Sequence, residues 1–217
     1  MAGVEYSIYF SAPSAGLNTI NLLKAPTTLV GLMTDGPWLG IVLDAVRTAY
    51  VPNMEVSGIT MPIIKVHYRF EGLQLNVVYQ SSGQIGVLYF GTPTNDSISL
   101  EAFSGVVVQI SATNSGTSAA NLTASGIWEF PQGNIKLTGV AYMTIDKNVG
   151  YDVWNFTTAG GLLVQGFGVA QLLGQGRNDI VPLNDIFTAQ SLTVTVNMFG
   201  VPASSTHTVY LIAYYRF

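Results

Sequence analysis

The chain has no cysteine among its 217 residues, which removes disulfides, thiolate catalysis and Cys-type metal sites together. Charge is scarce as well. Lys, Arg, Asp and Glu make up 9% of the residues, against roughly 25% in a soluble domain of average composition. Residues 72–95, 102–128, 153–176 and 186–215 contain none of them. The eight Lys and Arg are scattered and the net charge is −4, so there is no basic footprint for nucleic acid. Long apolar runs are missing too. Mean hydropathy is +0.39, yet the stretch from Trp154 to Gly176 is broken by six glycines and by Asn155, Thr157, Thr158, Gln165, Gln171 and Gln175. A spanning helix needs about 20 predominantly apolar residues, so none is expected. The first ten residues lack the basic and apolar regions of a secretory signal, which predicts a chain made in the cytoplasm without cleavage.

Chemistry-bearing motifs are equally sparse. There is no H-E-x-x-H, no G-x-S-x-G and no Walker loop, and Gly166, Gly168 and Gln171 fail the dinucleotide fingerprint at its third glycine. The two histidines, His67 and His207, have no cysteine and few carboxylates near them in sequence. An imidazole without an orienting partner makes neither a triad nor a ligand set, so both are expected to be structural or exposed. Asp146, Asn148, Gly150 and Asp152 place oxygen ligands at alternate positions, as a calcium loop would, but the glycine and closing glutamate of an EF-hand are missing. A turn explains the same residues without metal. Three sequons begin at Asn95, Asn121 and Asn155 and matter only in a glycosylating compartment. The twelve acids are too sparse to suggest a glycosidase pair. Trp38, Trp128 and Trp154 suit a core or subunit interface better than a sugar platform. No enzyme, cofactor or metal site is therefore expected.

What is present is strand alternation. Ile64, Val66, Tyr68 and Phe70 alternate with Lys65, His67 and Arg69, and after Glu71 and Gly72 the apolar Leu73, Leu75, Val77 and Tyr79 alternate with polar residues. A hairpin pairing Phe70 with Leu73 and Ile64 with Tyr79 puts every apolar side chain on one face. A second hairpin is expected between Leu192–Met198 and Thr206–Phe217. In its last strand Val209, Leu211, Ala213 and Tyr215 share one face and Tyr210, Ile212 and Tyr214 the other, so both faces should be covered. Further strands are expected over 4–10, 27–33, 55–60, 84–90, 98–102, 106–112, 126–130, 135–145 and 151–157. Residues 111–125 read as a long loop or a polar strand edge. Apolar spacing over Trp38–Tyr50, and more weakly over Leu162–Leu173, predicts one or two short helices. The fold class is all-β: an antiparallel β-sandwich, with a jelly roll the preferred form. Its expected division is an N-terminal strand and arm over 1–26 and a sandwich over 27–217, with two small β domains as the alternative.

With a short arm, eight or more strands, long polar loops and a terminal strand ending at Phe217, the chain resembles the single jelly-roll structural proteins of icosahedral viruses. The resemblance is one of pattern and includes no diagnostic motif. Its arm departs from capsid proteins that hold the genome through basic residues, since Lys24 is the only basic group in 1–26. The resemblance implies a non-enzymatic subunit of a virion shell, vertex or turret, associating with copies of itself and with other structural proteins of the particle. No direct nucleic-acid contact is expected, and proximity to a membrane is compatible with it. The alternatives are an extracellular filament or surface-layer subunit built by strand donation through 4–10, and a lectin-like module. Desolvating Thr, Asn, Ser and Tyr costs far less than desolvating unpaired charge. Tyr6, Tyr9 and Phe10 in the arm and Tyr210 and Tyr214 in the last strand are the expected subunit contacts.

Overall fold

In a computed structural model, the described residues are 3–53, 61–133, 135–144, 151–158, 161–168, 180–187 and 190–217. They form two compact units, Met1–Gly105 and Val106–Phe217. The first contains β1 (Val4–Ser11), β2 (Gly16–Asn21), β3 (Thr27–Thr34), β4 (Trp38–Val42), β5 (Thr48–Pro52), β6 (Val66–Phe70), β7 (Gln74–Tyr79), β8 (Ile85–Gly91) and β9 (Ile98–Ser99). One sheet has the order β1-β8-β3-β6-β9 and the other β2-β7-β4-β5. Eight strands distributed as 1-8-3-6 and 2-7-4-5 form a jelly roll, in which the chain repeatedly crosses between two sheets. The two-residue β9 is added parallel to β6.

The second unit repeats that topology. Its strands are β10 (Gly105–Asn114), β11 (Ala120–Glu129), β12 (Lys136–Thr144), β13 (Tyr151–Thr158), β14 (Gly161–Gly168), β15 (Ile180–Phe187), β16 (Ser191–Val201) and β17 (Ser205–Arg216). Their sheet orders are β10-β17-β12-β15 and β11-β16-β13-β14. Counted from β10, these are again 1-8-3-6 and 2-7-4-5. The chain is thus two jelly-roll sandwiches in tandem, not the single roll of the sequence-based resemblance. The expected division at residue 26 differs from the observed one at 105/106 because residues 1–26 are not an arm: β1 pairs with β8 and β2 with β7 inside the first unit.

Both expected hairpins are instead crossings between sheets. β6 pairs with β3, as in Tyr68 with Leu29 and Phe70 with Thr27, while β7 pairs with β2 and β4 in the facing sheet. Residues 71–73 span the gap of about 10 Å between packed sheets. Likewise β16 pairs with β11 and β13, and β17 with β12. The alternation holds within the strands, where Val66, Phe70, Leu75, Val77 and Tyr79 are buried, but Leu73, expected on the same face, is 58% exposed in the crossing between the sheets. Period 2 tells which side chains point inward, and a strand facing a partner sheet has the same pattern as one lying beside a hairpin partner.

No α-helix occurs among the described residues; a 3₁₀ turn spans Leu100–Phe103. Trp38–Tyr50, expected to be helical, is the β4–β5 hairpin, pairing Gly40 with Tyr50 and Val42 with Thr48. Its turn is closed by Asp44, whose Oδ1 accepts the N–H groups of Val46 and Arg47 at 3.0 and 2.8 Å, an Asx-type turn that competes successfully with helix. Gly40 is required there, because a Cβ would lie 2.8 Å from Val78 Cβ and 3.1 Å from the Tyr50 ring. Of Leu162–Leu173, the part over 162–168 belongs to strand β14 and the rest lies outside the described residues. The expected strand over 55–60 also lies outside them.

Leu29, Leu39, Ile41, Val77, Leu88 and Phe90 are fully or almost fully buried in the first unit. The second is centred on Trp128, Trp154, Phe156, Val194, Val196 and Leu211. Among the described residues no helix is long and apolar enough to cross a membrane.

Candidate functional site: uncharged strand faces and a buried polar cluster

The first unit neutralises its charges locally. All four of its basic residues are ion-paired: Lys24 with Glu5, Arg47 with Asp44 and Glu101 at 2.7 and 3.1 Å, Lys65 with Asp96 at 2.5 Å, and Arg69 with Glu71 at 2.8 Å. These pairs are exposed or half-exposed, and each contributes little to stability. Their effect is to leave no uncommitted Lys or Arg among the described residues of this unit. Asp44 is held below the usual carboxylate range by the Val46 N–H, against a smaller opposing cost of burial, with further help from Arg47. Asp96 is held down at about 2 by hydrogen bonds from Lys65 and the Thr94 hydroxyl. A catalytic acid needs the opposite shift. An open depression of about 460 Å³ beside Tyr68 is lined by Asp44, Arg69 and Glu71, whose charged groups are already engaged in these pairs.

Away from those pairs, the outward strand faces carry uncharged polar ladders. Thr19 donates to Asn76 at 2.8 Å in the first unit. In the second, Thr123 donates to Asn197 at 2.8 Å, and hydroxyl pairs join Ser125 with Thr195, Ser111 with Thr208 and Thr113 with Thr206, each at 2.9 Å. Such cross-strand pairs stabilise a sheet modestly. They also satisfy side chains that would otherwise demand water, so the face can be covered at small desolvation cost.

The five expected contact residues divide sharply. Tyr9 is 65% exposed on the outward face of β1, opposite Val87 of β8, which in turn lies beside Met33 of β3. Phe10, its neighbour, is only 5% exposed and packs on Tyr79 with ring centroids 5.2 Å apart. Tyr6 stacks on Phe90 at 4.8 Å and donates to Thr27 Oγ1. Tyr210 and Tyr214 are each 3% exposed, and burial pushes the Tyr214 phenol far above its ordinary value. They alternate with the core residues Val209, Leu211, Ala213 and Tyr215, so β17 is buried on both faces. Of the five, Tyr9 is exposed and Tyr6 partly so, whereas burial takes up Phe10, Tyr210 and Tyr214.

Sequence reasoning missed one constellation. His207 does have an orienting partner: its Nε2 lies 2.9 Å from Asp152 Oδ2, which also accepts the Tyr142 hydroxyl. The three groups come from β17, β13 and β12 and tie the two sheets of the second unit together. Asp152 and His207 are almost completely inaccessible, at 1% and 0%, so the cluster is closed to a substrate. No local signal could reveal it, because 55 residues separate the pair. His67 sits on the polar side of β6, with Nδ1 3.0 Å from Ser97 Oγ. The calcium reading of Asp146–Asp152 falls outside the described residues except at Asp152 and Tyr151, and among the described residues no group of three potential metal ligands occurs. Trp128 and Trp154 are fully buried and Trp38 nearly so, which removes them from any sugar platform. Asn95 and Asn121 of the sequons are exposed and Asn155 is half-buried.

Fold and surface together define an all-β protein of two tandem jelly-roll sandwiches with charge-poor strand faces. No protein-family model matches the sequence, and no curated protein matches it. Among solved structures it is similar to the crystal structure of the STIV major capsid protein, with 9% identity, 97% of this chain and 95% of that one covered, and a TM-score of 0.41. It is also similar to a chain in the atomic structure of Sulfolobus Turreted Icosahedral Virus, at 14% identity, 97% and 60% coverage and a TM-score of 0.30. A β-porphyranase of glycoside hydrolase family 86 from Bacteroides plebeius follows, at 10% identity, 97% and 35% coverage and 0.24. At these identities and scores neither a role nor any chemistry is carried over from them.

Proposed function

We propose that the chain is a non-enzymatic structural subunit that associates with copies of itself and with other components of a virion shell, vertex or turret. The observation that carries this reading is the distribution of charge. The cations of the first unit are spent on neighbouring carboxylates, while strand faces in both units present hydroxyl, amide and apolar groups. Interfaces that stay closed are depleted in charge at their centres. Strand donation to a filament through residues 4–10 is the weaker reading, since β1 is already paired along β8. A lectin is weaker still, its tryptophans being buried.

Light scattering of the purified chain at high concentration, with electron microscopy of the same sample, tests the proposal. Closed or sheet-like assemblies are expected. A monodisperse monomer under all conditions that preserve the fold would overturn it.

A further inference from the structure

The seam between β10 and β11 is left open at one side of the second sandwich. Each is an edge strand of its sheet. The two edges lie together, because the position of a Cβ at Gly126 of β11 is 2.6 Å from Val108 Cγ2 and 3.1 Å from Ile110 Cγ1 of β10. Inward-pointing Val106, Val108 and Ala112 of β10 and Leu122 and Ala124 of β11 pack on the core yet remain only partly buried. On the outward face of β11, Thr123 and Ser125 are exposed and Ile127 is 57% exposed.

Edges in natural sheets are normally blunted by charge, proline, brevity or a bulge. Several other edges here have such protection: β1 carries Glu5, β2 has six residues, β5 ends at Pro52 and β15 contains Pro182, whereas β14, with eight residues, shares with β10 and β11 the lack of charge and proline. β10 has ten residues with no charge and no proline. β11 also has ten, its one charge is the terminal Glu129, and its one irregularity falls at the opposite end, between Ala120 and Leu122.

We infer that β11 pairs antiparallel with β11 of a second copy about a two-fold axis near Ser125, closing the open seam. This rests on the associative reading above and names its surface. The sequence is self-complementary in that register. Ser125 meets its own equivalent, Thr123 meets Ile127, Ala124 meets Gly126 and Leu122 meets Trp128. Glu129 falls opposite Asn121, so the two carboxylates stay apart. A charged partner strand would gain no counter-charge here, whereas a second copy brings the same neutral edge. Ten residues span about 34 Å and the two-sheet edge with its side chains is roughly 20 Å wide, so about 1,400 Å² in all would be buried, within the range of stable interfaces.

The test is a charge swap at the axis in the full chain. Ser125→Lys places a lysine against itself and should weaken self-association by about 100-fold. Ser125→Asp should do the same, and mixing the two variants should restore association. Both substitutions are at an exposed side chain, and unchanged circular dichroism checks the fold. Independently, β11 amides in the unmodified chain should gain at least about tenfold protection from hydrogen exchange on concentration, as ladder bonds form. If the unmodified chain associates while the Lys variant associates equally well, if mixing fails to restore binding, or if β11 gains no protection, this interface is overturned and the wider reading stands. A chain that never associates overturns both.

Discussion

Phe10→Ala set against Tyr9→Ala is a stringent test of how β1 is used. The two residues are adjacent and both aromatic, and they point to opposite faces of one strand. Phe10 is 5% exposed and lies against Tyr79. Its ring also covers Gly86 of β8, where the nearest side-chain atom to an added Cβ would be Phe10 Cζ. Truncation removes a large buried ring whose surroundings relax only partly, at a cost of about 3–5 kcal/mol. A domain of this size has total stability of about 5–15 kcal/mol, so about a fifth or more of the first unit's stability is at stake. With a shift of about 4–6 °C per kcal/mol, the melting temperature of that unit should fall by about 12–30 °C. Tyr9 is 65% exposed, and its truncation should change stability by no more than about 0.5 kcal/mol. Urea unfolding followed by hydrogen exchange of residues 85–91, with residues 136–144 as the second-unit reference, separates the local loss from any general one. A cost below about 1 kcal/mol for Phe10→Ala, or above it for Tyr9→Ala, would refute the assignment of faces in β1 and with it the claim that residues 1–26 are integral to the first sandwich.

Three further outcomes are expected. Trp128 Nε1 donates to the Leu211 carbonyl at 3.1 Å across the second sandwich, whereas Trp154 Nε1 has no partner among the described residues; Trp128→Phe should therefore cost about 1–3 kcal/mol more than Trp154→Phe by chemical denaturation, and equal costs would contradict the hydrogen-bond argument. Asp96 has its folded pKa lowered from 3.8 to about 2, so its contribution is present above pH 3.8 and lost as pH falls toward 2; Asp96→Asn should flatten acid unfolding in that window, and an unchanged acid limb would reject the Lys65 pairing as the cause. Self-association should change by less than about threefold between low and high salt, because the first unit's cations are internally paired and the proposed edge is neutral; a tenfold loss in sedimentation experiments at high salt would mean that charge carries the contact.

Most of the burial pattern was legible in the sequence, and most of the connectivity was not. Alternation in β7 and β16 identified the inward residues Leu75, Val77, Tyr79, Leu192, Val194, Val196 and Met198 correctly, since a strand with one face on a core must repeat every two residues. The same rule cannot distinguish a hairpin from a crossing between facing sheets. It therefore paired β6 with β7 and β16 with β17, which the fold separates. The helix expected over Trp38–Tyr50 failed for a related reason. Apolar residues at helical spacing also fit two short strands whose phase is reset by a turn, and Asp44 made that turn. The topological repeat escaped because the two units share strand order without sharing a recognisable sequence phrase.

By itself the sequence determined an all-β chain, poor in charge, without thiol chemistry and with a last strand apolar on both faces. Those properties follow from composition and period alone. Only the tertiary structure decided that there are two jelly rolls, that three of five candidate contact aromatics are buried by packing, and that His207 meets Asp152. Each depends on which distant strands become neighbours, and that choice is made by how two inward faces fill one core rather than by any local preference.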